Sequence, residues 1–112
     1  MLASGPMKGD RIGEFEELTL LAVRALNGPT YGVPVQQYVA RATGRDASIG
    51  AVYAALDRLE RKGYVRSVIG DPTPTRGGKR KRLFEVTASG LRAAQELRRV
   101  REQLWHTIES QP

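Results

Sequence analysis

Apolar residues recur along the chain with two periods, and the switches between them mark the elements. From Glu14 to Leu26, Phe15, Leu18, Ala22 and Leu26 return at the three-to-four-residue spacing of one helix face, and Leu21 and Ala25 widen that stripe. Asn27-Gly28-Pro29 ends it. A second helix is predicted from Tyr31 to Thr43 with Val35, Tyr38, Val39 and Ala42 inward. Pro34 suits its first turn, where a missing N–H loses no intrahelical partner. After Gly44-Arg45-Asp46, Ser48 is an N-cap for a third helix that runs to about Lys62 and stops at Gly63. The composition then turns β-branched and aromatic at Tyr64 to Ile69 and again at Leu83 to Val86. Between these two strands lies a Gly/Pro-rich stretch from Gly70 to Gly78, so they read as a hairpin with a long loop. Thr87 then caps a last helix from Ala88 to about Ser110.

Helices two and three, joined by a short glycine-containing turn and followed by a hairpin, have the outline of a winged helix-turn-helix. The predicted fold is mainly α with a β-hairpin: three helices, a two-stranded wing and a long C-terminal helix. The organisation expected is a flexible N-terminal tail at 1–12, a winged-helix domain at 13–87 and a C-terminal dimerisation helix at 88–112. Glu14, Glu16 and Glu17 fall in the first turn of the first helix, where carboxylates complement the helix dipole; that structural role outweighs a catalytic one.

The third helix carries the most information about function. At about 100° per residue, Ile49, Val52, Leu56 and Leu59 share one face, which is core, while Gly50, Ala51, Ala54, Arg58 and Arg61 share the opposite one. That second face is slim at the helix start and basic toward its end. A helix entering the major groove of DNA needs both properties, close approach at its first turns and guanidinium groups for phosphates or guanine edges. A merely solvated face has the same residue types, so the helix alone leaves both readings open. In the wing, Arg76, Gly77, Gly78, Lys79, Arg80, Lys81 and Arg82 concentrate positive charge beside two glycines that let backbone approach a phosphate chain. A nucleotide-binding phosphate loop is excluded, because position 73 is Thr where its first glycine belongs and Arg80 stands in place of the required Ser or Thr.

Composition narrows the choice. The chain has 112 residues with 18 Lys and Arg against 12 Asp and Glu, a net charge of +6 that favours a polyanionic partner. It has no cysteine, which removes disulfides, thiolate metal sites and thiol nucleophiles. The lone histidine, His106, has only Glu102 and Glu109 at helical spacing, so neither a metal site nor a nucleophile–base pair can be assembled; no enzyme activity and no cofactor are expected. No apolar run nears the length of about 18 residues that spans a bilayer, and no secretory leader is visible, so the cytoplasm is the expected compartment and no membrane partner is expected. Along the last helix Leu97, Val100, Leu104 and Ile108, flanked by Ala94 and Trp105, form an apolar stripe too long for one small core to cover, which predicts a symmetric dimer.

Thr30-Tyr31-Gly32, Ser48-Ile49-Gly50-Ala51-Val52-Tyr53, Leu59-Glu60-Arg61-Lys62-Gly63-Tyr64-Val65, Arg76-Gly77-Gly78-Lys79-Arg80-Lys81 and Val86-Thr87-Ala88-Ser89-Gly90, in this order and spacing, resemble the PadR family from Glu14 to about Ile108. The resemblance implies a winged-helix repressor that binds double-stranded operator DNA as a homodimer, its C-terminal helix packed against the partner's first helix. It implies DNA contacts by Thr30, Tyr31, Ser48, Gly50, Ala51 and Tyr53, beside Ala54, Arg58 and Arg61 on the same helix and Arg76, Gly77, Gly78, Lys79, Arg80 and Lys81 in the wing. It implies an interface built by Phe15, Leu18, Leu97, Val100, Leu104, Trp105 and Ile108. Some short members bind flat aromatic molecules between their C-terminal helices, so Trp105 has two readings, an anchor of the dimer core or a platform for a small aromatic effector. The rival function from another class is a winged-helix module for protein–protein or RNA contact, which fold alone does not separate from a DNA reader.

Overall fold

The structure is a computed structural model, and it describes residues 11–70 and 81–112. Four helices and one hairpin follow in the order α1 (Glu14–Ala25), α2 (Gly32–Thr43), α3 (Ile49–Arg61), β1 (Val65–Ile69), β2 (Arg82–Val86) and α4 (Ala88–Glu109). The local signals set most of these limits. Ser48 Oγ accepts the Ala51 N–H at 3.0 Å and opens α3, and Thr87 Oγ accepts the Gly90 N–H at 3.0 Å and opens α4. At the end of α3, Gly63 takes φ 81, its N–H donates to Glu60 O, and the next N–H, of Tyr64, donates to Leu59 O. This pair of bonds satisfies carbonyls that would otherwise be orphaned, and the left-handed residue it requires is a glycine.

β1 and β2 pair antiparallel with Val65 opposite Val86 and Ile69 opposite Arg82. β2 has a neighbour on its other side as well: Thr30, just before α2, exchanges both backbone bonds with Phe84 at 2.9 and 2.6 Å. Phe84 is thereby fixed at the centre of the molecule, fully buried against Leu20, Val23, Val35, Val52, Leu56, Leu59 and Val65. The start of α4 belongs to this same packed unit. Gly90 lies so close to β1 that a Cβ there would stand 2.0 Å from Tyr64 O, and Ala94 one turn later is buried in the core.

Three inward assignments made from periodicity are corrected. In α1 the buried apolar residues are Leu20, Ala22 and Val23, while Leu21 and Ala25 are exposed and Phe15, Leu18 and Leu26 only half-buried. This helix is apolar nearly all round, so two phases fit its sequence and packing against α3 and β2 selects the other one. Ala42 is exposed where α2 outruns the core. Ile49, the first residue of α3, is also exposed, because the core begins one turn later at Val52.

Candidate nucleic-acid interface

The outward face of α3 is formed by Gly50, Ala51 and Ala54, all exposed, with Arg58 and Arg61 further along. A Cβ at Gly50 would meet nothing within 4 Å, so no packing demand explains a glycine there. Arg61 is exposed and has no ion-pair partner among the described residues. Arg58 is engaged: its Nε donates to Glu16 Oε2 at 2.7 Å, and Lys62 Nζ donates to Glu16 Oε1 at 2.6 Å. Burial pushes the Glu16 carboxyl up, but the hydrogen bonds from Lys62 and Arg58 outweigh it and hold the group below the usual glutamate range. Glu16 therefore stays charged and bridges α1 to the C-terminal end of α3.

The remaining helix-turn-helix positions divide into those that face outward and those that build the scaffold. Thr30 is buried and serves the Phe84 bridge through its backbone. Tyr53 is half-buried, its ring lying over Gly32 and tilted against Phe84 at a centroid distance of 6.4 Å. A Cβ at Gly32 would stand 2.4 Å from that ring, so this glycine is what lets α2 approach α3 closely. Tyr31 occupies the N-cap position of α2, and Lys81 Nζ sits 3.9 Å above the Tyr31 ring, a cation–π contact that ties the root of the wing to the start of α2.

In the wing, Gly70 N–H donates to Lys81 O at 2.7 Å and closes the root of the hairpin. Arg76, Gly77, Gly78, Lys79 and Arg80 lie outside the described residues. Arg82, counted with the basic tip in the sequence, does a different job. Its Nη1 donates to Asp57 Oδ1 at 2.8 Å, its Nη2 donates to Glu60, and its guanidinium lies 4.7 Å above the Phe84 ring. The Ser67 hydroxyl also donates to Glu60, at 2.6 Å; that bond, against the cost of burial and with the help of Arg82, holds the Glu60 carboxyl below its usual range. Arg82 thus fastens the wing to the flank of α3 and neutralises two acids that would otherwise face the same way as the helix's basic end.

On the far side of the molecule, α4 leaves the packed unit. Leu97 is half-buried, and Val100, Leu104, Trp105 and Ile108 are 42%, 58%, 60% and 54% exposed. Phe15 and Leu18 are half-buried against the chain's own core. Glu17, buried beside Glu16, accepts Arg101 Nη1 on both carboxylate oxygens. Sequence reasoning missed this ionic role for Glu16 and Glu17 because the first-turn position already explained them. The available signal was phase: Glu16, Leu20 and Val23 lie on one helical face, which places a carboxylate over the core edge.

Three helices with a two-stranded wing and a slim outward face on the third helix define a winged helix-turn-helix protein. The sequence matches the transcriptional regulator PadR-like family over residues 20–96, and the chain belongs to that family. It is a transcriptional regulator and not an enzyme. No curated protein matches it. Among solved structures it is similar to a PadR-like transcription factor from Bacteroides fragilis, with a TM-score of 0.70 and 18% identity over 85% of this chain and 86% of that one. A PadR family regulator from Eggerthella lenta aligns at a TM-score of 0.59 with 26% identity over 85% of this chain and 79% of that one. Bacillus subtilis PadR, solved in complex with operator DNA, aligns at 0.61 with 19% identity over 74% of this chain and 46% of that longer one. No described helix is long and apolar enough to cross a membrane.

Proposed function

We propose that this regulator is a homodimeric, sequence-specific repressor, working in the cytoplasm, that reads operator DNA with α3 in the major groove and with the wing on adjacent phosphates. The observation that carries the reading is the outward face of α3. Gly50, Ala51 and Ala54 are exposed, with open space around Gly50, and the guanidinium of Arg61, which has no ion-pair partner among the described residues, follows on the same side. A helix that must approach base edges needs that profile. Bacillus subtilis PadR was solved in complex with operator DNA, which supports operator DNA as the partner here. Lys81 and the wing residues Arg76, Gly77, Gly78, Lys79 and Arg80 supply the phosphate contacts of this proposal, and Ser48, Tyr31 and Tyr53 border the groove-facing surface. Thr30 contributes by holding α2 to β2.

The apolar side chains exposed along α4 support the dimer, since a two-fold pairing through Leu97, Val100, Leu104, Trp105 and Ile108 would cover them and place two α3 helices on successive half-sites. Phe15 and Leu18, already half-covered, would form the edge of that interface. Trp105, the most exposed large side chain of the stripe, is the natural contact for a flat aromatic effector that relieves repression by altering the pairing.

The test is selection of bound duplexes from random DNA with the purified protein, followed by Ala54→Glu. A two-fold related pair of half-sites should emerge, and the folded, dimeric variant should lose preference for them because its carboxylate faces phosphates. Failure to enrich any duplex, or an Ala54→Glu variant with full preference, would overturn the reading in favour of a protein or RNA partner.

A further inference from the structure

α1 carries two consecutive buried carboxylates that hold different parts of the molecule. Glu16 binds Arg58 and Lys62 at the end of α3, and Glu17 binds Arg101, four residues past the last half-buried residue of α4. Beyond Leu97, every residue of α4 is exposed. In this projecting arm, among the described residues, Arg101 is the one polar side chain that reaches another element; Arg98 and Arg99 pair only with Glu102 and Glu96 of their own helix. We propose that Glu17 and Arg101 are a positioning pair that sets the angle of the arm to the body, and so the separation of the two α3 helices in the dimer and the half-site spacing it accepts.

The inference rests on the dimeric DNA-reading function proposed above, and three physical points carry it. First, one nitrogen of the guanidinium bonds both oxygens of a carboxylate that is only 9% exposed, so the buried acceptor is fixed by its own surroundings. A charge-assisted contact to such an acceptor restrains direction as well as distance. Second, the stretch from Leu97 to Glu109 is about 18 Å long at 1.5 Å per residue, so tilting it by about 10° moves its end by about 3 Å. That displacement is close to one base-pair rise of about 3.4 Å, and the two-fold axis applies it to both protomers. Third, Glu16 and Glu17 are neighbours on one helix, so the arm and the end of α3 are referred to the same rigid turn. Removing the ion pair leaves the apolar seam intact and frees only the angle.

The chain has no cysteine, so a spin label can be placed cleanly at Ala42→Cys, an exposed position on α2. Pulsed dipolar spectroscopy on the full-length protein should give one narrow inter-protomer distance for the parent. In Arg101→Met and in Glu17→Gln the distribution should at least double in width, with sedimentation still dimeric, and Arg101→Lys should restore most of the narrowing. On a selected operator, moving the half-sites apart by one base pair should weaken the parent about tenfold and Arg101→Met less than about threefold, with affinity for the original spacing little changed. An unchanged narrow distance and an unchanged spacing penalty in both variants would overturn the positioning role while leaving the repressor reading intact. A parent that shows no inter-protomer distance would instead remove the dimer, and the inference with it.

Discussion

Phe84, Leu20, Leu56 and Leu59 in the body are at most 1% exposed, whereas Leu104, Trp105 and Ile108 in the arm are more than half exposed. The charges of the two regions differ in the same sense. In the body, Glu16 joins α1 to α3, and Glu60 joins α3 to the wing. In the arm, Arg98–Glu102 and Arg99–Glu96 pair within one helix and support only that helix, while Arg101 reaches back to Glu17. The body therefore closes around its own core, and its ion pairs tie one element to another. The arm keeps its helix by local pairs, is tied to the body by Arg101, and leaves its apolar stripe exposed.

The contrast can be broken or sharpened by substitutions of decreasing effect on folding. Phe84→Ala should cost about 3–5 kcal/mol in urea unfolding, since it empties the point where α1, α2, α3 and both strands meet; a loss below about 1 kcal/mol would mean that the body is not organised around that ring. Glu16→Gln should cost about 1–3 kcal/mol near neutral pH by weakening two charge-assisted bonds. The pH dependence has a definite sign. The folded carboxyl lies below its unfolded value, so its contribution is complete above the usual glutamate range and is lost as pH falls through the lowered folded pKa. The gap between parent and Glu16→Gln should accordingly close in acid, and a gap that stays constant there would show that the bridge contributes nothing.

Gly50→Ala should raise body stability by up to about 1 kcal/mol, as alanine replaces glycine in a helix with open space around it, while weakening the proposed operator binding. Gain in thermal midpoint with full operator affinity would show that the slim face of α3 serves no close approach. Leu104→Asp should have the smallest effect on the body, within about 0.5 kcal/mol when unfolding is measured at dilutions that keep both proteins monomeric. At micromolar concentration the same variant should sediment as a monomer and the parent as a dimer. Identical sedimentation would break the division between body and arm.

The order of elements was legible because its punctuation is local: Ser48, Gly63 and Thr87 act within a few residues of themselves. The phase of α1 was not, since a helix carrying Leu18, Leu20, Leu21, Ala22, Val23, Ala25 and Leu26 offers more than one apolar face and only its tertiary partners choose. On the candidate interface, the outward set Gly50, Ala51 and Ala54 could be read from helical phase alone. The double life of the basic residues could not. Arg58 meets Glu16 across 42 positions and Arg101 meets Glu17 across 84, distances at which a charge pattern carries no pairing information. Arg82 shows the same limit: in a run of basic residues nothing local distinguishes the one that turns inward to Asp57 and Glu60.

The exposure of Val100, Leu104, Trp105 and Ile108 also bears on coexistence. These four side chains contribute almost nothing to the body's fold, so they are free to drift in sequence without cost to it. In the dimer proposed above, a cell that holds several regulators with the same body could keep them apart through this segment alone, each arm admitting its own copy and refusing the others. A relaxed arm would have the opposite result, joining unlike bodies into mixed pairs and creating composite addresses on the chromosome that neither parent reads.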